Sequence, residues 1–362
     1  MCNRVLSLAL AGLLGSTLPT AADVTRFEVA GSPQPAFAAQ EFGAAGRYER
    51  LTARAIVALD PADPHNAIIA DLALAPRNAD GRVEAVAEVV ILRPAEPFRG
   101  NGTMLVEAPN RGRDLTGQLY NDGTANGLLQ GRDPGNGFLM RQGYTLVWIG
   151  WQADIPSGEG RGAGLRLEAP IVPNVTGPSR EEFLFDHATN PVTVSLTYPI
   201  ASEQGATLTV RGRARDQRQT PADLRFRVLG AQQIEIIRPA GFDAGALYEF
   251  VYTAKDPTVQ GMAFAAVRDV AAFLRREHGI ANPLAVNGRV TVDRAILHGI
   301  SQSGRFVRDY LYLGFNEDER SRQVYDAMLP HIPGTRRTFT NARFAQPGRN
   351  PTPHADTLYP AD

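Results

Sequence analysis

The sequence predicts an α/β protein with a mostly parallel sheet, a β-rich N-terminal extension and an inserted antiparallel β region. Three observations predict this class. Two runs, Thr103-Met-Leu-Val-Glu-Ala108 and Gly143-Tyr-Thr-Leu-Val-Trp-Ile-Gly150, are apolar on both faces, as strands buried inside a parallel sheet are. Alternating β-branched segments precede and follow them. Late in the chain, the apolar strand Ala295-Ile-Leu297 runs through a sharp turn into a helix with Phe306, Val307, Tyr310 and Leu311 at helical spacing.

The elements follow in order. Residues 1–22 read as a signal peptide: Arg4 is the positive start, Val5 to Leu18 the apolar run, and Pro19-Thr-Ala-Ala22 the small residues before a cut at Asp23. The run is shorter than the ~20 residues that span a bilayer, so a secreted or periplasmic protein is expected, with no membrane contact beyond the export signal. Residues 23–98 form the β-rich region, with strands near Arg54–Leu59 and Arg82–Leu92. Residues 99–362 form the main domain. Leu139-Met-Arg141 marks a crossover between its first two strands. A β-rich insertion at about 164–241 carries short strands at Val192–Tyr198, Thr207–Arg211, Leu224–Val228 and Gln233–Ile237. A helix then opens at Asp256-Pro257, with Asp256 as cap and Pro257 in the first turn, and stops at Gly279. After Leu313, Asn316 and Glu319 suggest a capping box for another helix, and a strand runs from about Val324 to Leu329.

Composition narrows the function classes. The 362 residues are 43% apolar and 21% charged, a globular balance. A net charge of -1 gives no electrostatic basis for binding nucleic acid or an anionic membrane. Cys2 is the sole cysteine and falls within the signal, so disulfides, zinc–thiolate sites and cysteine nucleophiles are excluded from the mature chain. No metal-ligand cluster stands out, and the glycines from Gly158 to Gly164 lack the lysine and serine of a phosphate loop. No cofactor is expected.

The chemistry concentrates in Gly299-Ile-Ser-Gln-Ser-Gly-Arg305. Ser301 sits on a strand-to-helix turn in a Gly-x-Ser-x-small pattern, the arrangement of a nucleophile elbow. Large side chains two positions to either side would collide there; Gly299 and Ser303 are small. The turn lifts the Ser301 hydroxyl from the sheet edge and points the helix N-terminus at a developing oxyanion. The N–H of Gln302 is one oxyanion donor. The second is expected from Pro109-Asn-Arg-Gly112, with Asn110 and Arg111 as candidates. Ser303 is the rival nucleophile, disfavoured because Arg305 would fill its small position. A bland strand–turn–helix with a buried serine would share the pattern.

These residues resemble the Gly-x-Ser-Gln-Ser-Gly elbow of a bacterial family of α/β-hydrolase domain proteins. Glu107–Gly112, Phe138–Tyr144, Gly150-Trp-Gln-Ala-Asp154, Gly241–Glu249, and Phe315–Glu319 through Pro330-His331 resemble it too, over nearly all of the mature chain. The resemblance implies an α/β-hydrolase-type fold and a serine hydrolase, and it implies no substrate.

A serine triad in this fold continues with an acid and then a histidine. After Ser301 only one further strand is found, and the family's histidine is expected near a longer C-terminus; the sequence therefore reads as a fragment lacking both partners. His331 and His354 are the remaining base candidates. For His331 a structural or pocket-lining role is the rival expectation and the stronger one, and His354 with Asp356 would need residues two apart on a loop to face each other. His298 is expected to pack at the strand end, and His65, His187 and His278 at the surface. Hydrolysis of a small-molecule carboxylic ester through an acyl-enzyme on Ser301 is the leading expectation, weak or absent in a fragment. A non-catalytic ligand-binding protein on the same scaffold and an acyl transferase are the alternatives.

Overall fold

The computed structural model describes residues 24–156, 164–242 and 245–348. The signal segment and the His354–Asp356 pair lie outside them. The main sheet is built from β1 (Val24–Val29), β2 (Tyr48–Leu59), β3 (Val83–Pro94), β4 (Thr103–Glu107), β5 (Thr145–Ile149), β12 (Arg294–Ile300) and β13 (Ala327–His331), in the order β1-β2-β3-β5-β4-β12-β13. Between β4 and β5 lie the short helices α1 (Thr116–Asn121) and α2 (Phe138–Arg141).

The sheet is mixed rather than mostly parallel. β5, β4, β12 and β13 pair in parallel, whereas β1, β2, β3 and β5 pair antiparallel. The N-terminal strands thus continue the same sheet through β3, whose Val89–Leu92 pair with Leu146–Ile149 of β5. All five residues of β4 and all five of β5 are buried, the signature expected of interior strands.

The insertion comprises β6 (Thr176–Leu184), β7 (Val192–Ser195), β8 (Ile200–Arg211), β9 (Arg225–Gly230), β10 (Gln233–Ile237) and β11 (Leu247–Lys255). They form two three-stranded antiparallel sheets, β8-β11-β6 and β9-β10-β7. The central strand β11 extends the β region beyond the expected limit at 241. Phe185, Tyr198, Ile234, Phe250 and Phe344 pack in one core between the sheets.

Two helices cover one face of the main sheet: α3 (Met262–Arg276) and α4 (Gln302–Tyr312). Helix α3 begins after the expected cap. The Asp256 carboxylate instead accepts the Asn174 N–H at 2.8 Å, and the Pro257 carbonyl accepts the Val172 N–H, so both residues tie the insertion to the body. No helix opens at Asn316. Its side chain is spent on the Tyr325 N–H and carbonyl, while Glu319 approaches Arg268 at 3.6 Å. The opposite face is covered by Phe37, Phe42, Leu128, Leu139 and Met140, packed on Leu105, Leu146 and Trp148. No helix among the described residues is long and apolar enough to cross a membrane.

An aromatic stack fastens α4 to the sheet. Phe306 lies 4.6 Å from Phe264 of α3 and 4.3 Å from Trp151, ring centre to ring centre, and all three are buried. Replacing Phe306 by Ala leaves a cavity between two helices and is expected to cost about 3–5 kcal/mol. Urea unfolding checks this; a loss below about 1 kcal/mol, the range of a surface substitution, would contradict the packing described.

Candidate active site

Ser301 is the single residue between β12 and α4. Its backbone is at φ 58°, ψ -112°, a sparsely populated conformation that costs about 1–3 kcal/mol and persists only where neighbours impose it. Here they do. The Ser301 N–H donates to the His331 carbonyl on the adjacent strand at 2.9 Å. A Cβ added at Gly299 would lie 2.3 Å from the Ser303 carbonyl oxygen, so only glycine admits this close approach. A Cβ at Gly304 would lie 2.6 Å from the His331 carbonyl oxygen, so helix and strand also meet without a side chain between them.

The two serines of the motif are used differently. Ser303 is fully buried; its hydroxyl accepts the Ile300 N–H at 2.9 Å and donates to the Ile300 carbonyl at 3.1 Å. It closes the bend. Ser301 is partly exposed, and among the described residues its hydroxyl has no hydrogen-bond partner.

The expected oxyanion loop does meet the elbow. The Asn110 side-chain amide donates to the Ile300 carbonyl at 2.7 Å, one residue before Ser301. The Asn110 backbone N–H is itself spent on the Arg113 carbonyl at 3.1 Å. The Arg111 N–H, on a residue at φ 50°, finds no acceptor among the described residues. Of the two candidate amides, Arg111 is therefore the one left to donate. The Gln302 N–H is the first of α4 and has no intrahelical acceptor.

His331 ends β13 beside the elbow and contributes its carbonyl; its ring makes no hydrogen bond among the described residues. His298, on β12, is fully buried, with Nδ1 3.1 Å from the Leu329 carbonyl. Beneath it lies Glu107, whose carboxyl accepts Trp148 Nε1–H at 2.7 Å and the Leu115 N–H at 3.0 Å. Burial, and then the nearby Asp114 carboxylate, push the Glu107 carboxyl well above the usual carboxylate range.

Two participants were not assigned from sequence. Trp151 donates its indole N–H to the Pro109 carbonyl at 2.8 Å, and Asp154 accepts the Gly348 N–H at 2.6 Å. Burial pushes the Asp154 carboxyl up to about 6. Both stand in the Gly150–Asp154 stretch, whose polar residues directly after a buried strand were the available signal.

A family model described as an alpha/beta hydrolase domain matches residues 167–362, just over half of the chain. The chain belongs to the alpha/beta hydrolase domain family. The matched part of this alpha/beta hydrolase contains the elbow and α4; the Arg111 loop and Trp151 lie before it. No curated protein and no solved structure gives a match. Among the described residues, no group of three or more His, Cys, Asp or Glu could hold a metal ion.

Burial lowers His298 from 6.5 to about 4. The folded alpha/beta hydrolase therefore keeps this ring neutral while the unfolded chain takes up a proton. Stability linked to His298 is full above about 6.5 and is lost as pH falls towards about 4. An NMR titration of the ring is expected to show a midpoint near 4; a midpoint near 6.5 would contradict its placement.

Proposed function

We propose that this alpha/beta hydrolase cleaves carboxylic esters through an acyl-enzyme on Ser301. The observation that carries the reading is the contrast at the bend: Ser303 is buried and doubly bonded, whereas among the described residues neither the Ser301 hydroxyl nor the Gln302 and Arg111 N–H groups have a hydrogen-bond partner.

Ser301 Oγ attacks the ester carbonyl carbon and passes its proton to a base. The carbonyl oxygen becomes an oxyanion, which the Gln302 and Arg111 N–H groups are aimed to receive. Collapse expels the alcohol, protonated by the same base, and leaves Ser301 acylated. Water then releases the acid by the reverse sequence. Removal of one such donor typically costs about 10²–10³ in rate, so two preset amides supply a substantial share of the acceleration. His331 and His354 are the candidate bases. His331 has in its favour its place on the strand paired with the elbow. The substrate is a small ester.

A fluorophosphonate probe tests the assignment, because Ser301 Oγ would displace fluoride at phosphorus. Mass spectrometry is expected to find one adduct, on Ser301, absent from Ser301→Ala. Ser303→Ala is expected to keep the adduct while losing about 1–3 kcal/mol of stability, since the buried Ile300 N–H is left unpaired and its carbonyl keeps only the Asn110 amide. Labelling that persists in Ser301→Ala would overturn the proposal.

A further inference from the structure

The segment Gly150-Trp-Gln-Ala-Asp154 crosses the C-terminal end of the sheet between the Arg111 loop and the elbow helix. Its path is fixed from below. The Gly150 N–H donates to the Glu88 carbonyl at 2.8 Å, and a Cβ at Gly150 would lie 2.3 Å from the Arg166 carbonyl oxygen. A backbone so constrained places the next residue, Trp151, in one position.

From there Trp151 touches both walls of the site. Its indole N–H reaches the Pro109 carbonyl at 2.8 Å, two residues before Arg111. Its ring lies 4.3 Å from Phe306, five residues after Ser301. A second tie runs through Asp154 to the strap Pro347-Gly348. Asp154 accepts the Gly348 N–H at 2.6 Å, Gln302 Nε2 donates to the Pro347 carbonyl at 2.7 Å, and Arg111 Nε donates to the Gly348 carbonyl at 3.1 Å. The same peptide unit is thus held from both faces, by Gln302 and by Asp154, and the next carbonyl by Arg111. A Cβ at position 348 would lie 2.8 Å from the Asp154 carboxylate, so glycine is required for the strap to seat.

We infer that Trp151 and Asp154 are positioning residues that set the separation between the Arg111 and Gln302 amides. This rests on the reading of Ser301 as nucleophile. Neither side chain touches the reacting atoms. Trp151 links the loop bearing one donor to the helix bearing the other directly; Asp154 does so through the strap that Arg111 and Gln302 both hold. Besides these ties, the two walls are joined by the Asn110–Ile300 hydrogen bond and by the β4–β12 pairing, which ends with the Ala108 N–H on the His298 carbonyl at 2.9 Å, short of both amides. An oxyanion is held well only when both donors lie about 2.7–3.1 Å from it, so a small drift in either wall weakens the pair.

Trp151→Phe keeps an aromatic ring against Phe306 and removes the N–H to Pro109, together with the second ring of the indole. The measurement is the concentration dependence of fluorophosphonate labelling at Ser301, separated into reversible probe affinity and maximal labelling rate. The expected result is a maximal rate lowered about tenfold with probe affinity little changed, since a displaced donor costs less than the ~10²-fold of a removed one. Asp154→Ala removes the acceptor of the Gly348 N–H and so acts through the other tie, and it decides the matter if Trp151→Phe does not fold; its maximal rate is expected to fall likewise. Wild-type labelling at Ser301 with both folded variants labelling at the wild-type rate would overturn the positioning role and leave the nucleophile intact. Absence of wild-type labelling at Ser301 would overturn the nucleophile, and the positioning role with it.

Discussion

Between Ile300 and Gln302 the backbone leaves a parallel strand and enters a helix within one residue, and most of the site depends on that bend. The φ of 58° at Ser301 is unfavourable in isolation. It is held because the Ser303 hydroxyl satisfies both backbone groups of Ile300, because β13 accepts the Ser301 N–H, and because two glycines let three backbone segments approach to distances that no Cβ allows. Among the described residues, the same constraint leaves the Ser301 hydroxyl without a partner and opens α4 with an N–H that has no acceptor. Strain, close approach and chemical availability follow from one backbone geometry.

The sheet beneath the bend is held by apolar burial on both faces, but its C-terminal edge carries polar groups as well. Glu107 and His298 are directly paired in register on neighbouring strands, both buried and both pushed towards their neutral forms. Burying them neutral avoids the cost of an unpaired charge. The Glu107 carboxyl also gives the amides at the start of α1 and the Trp148 indole their acceptors. The positive dipole end of α4 opens directly at Ser301.

Much of this was legible in the sequence, for local reasons. Strands β4 and β5 announced themselves because interior strands are apolar on both faces. The elbow did so because the bend excludes side chains at fixed offsets from the serine. Pairing between distant segments was not legible. The continuation of β1–β3 into the same sheet depends on β3 meeting β5, and no local pattern encodes that choice. The expected start of α3 at Asp256 failed because that carboxylate found a partner at Asn174, and the expected helix at Asn316 failed because Asn316 found Tyr325. A capping residue and a tertiary anchor are the same residue type, and only the fold separates them. Trp151 and Asp154 were visible as a motif, but their partners lie 42 and 194 positions away in the chain. The acid and base of a triad are not assigned by the described residues, and His354 lies outside them.

The central proposal is geometric: the hydroxyl at the strained bend works with two amides that receive one oxyanion. A crystal structure of the fluorophosphonate-treated protein tests it most directly. The account predicts a phosphonyl group on Ser301 Oγ, with its oxygen about 2.7–3.1 Å from the backbone nitrogens of both Gln302 and Arg111. A phosphonyl oxygen turned to solvent, or bound by neither amide, would contradict it.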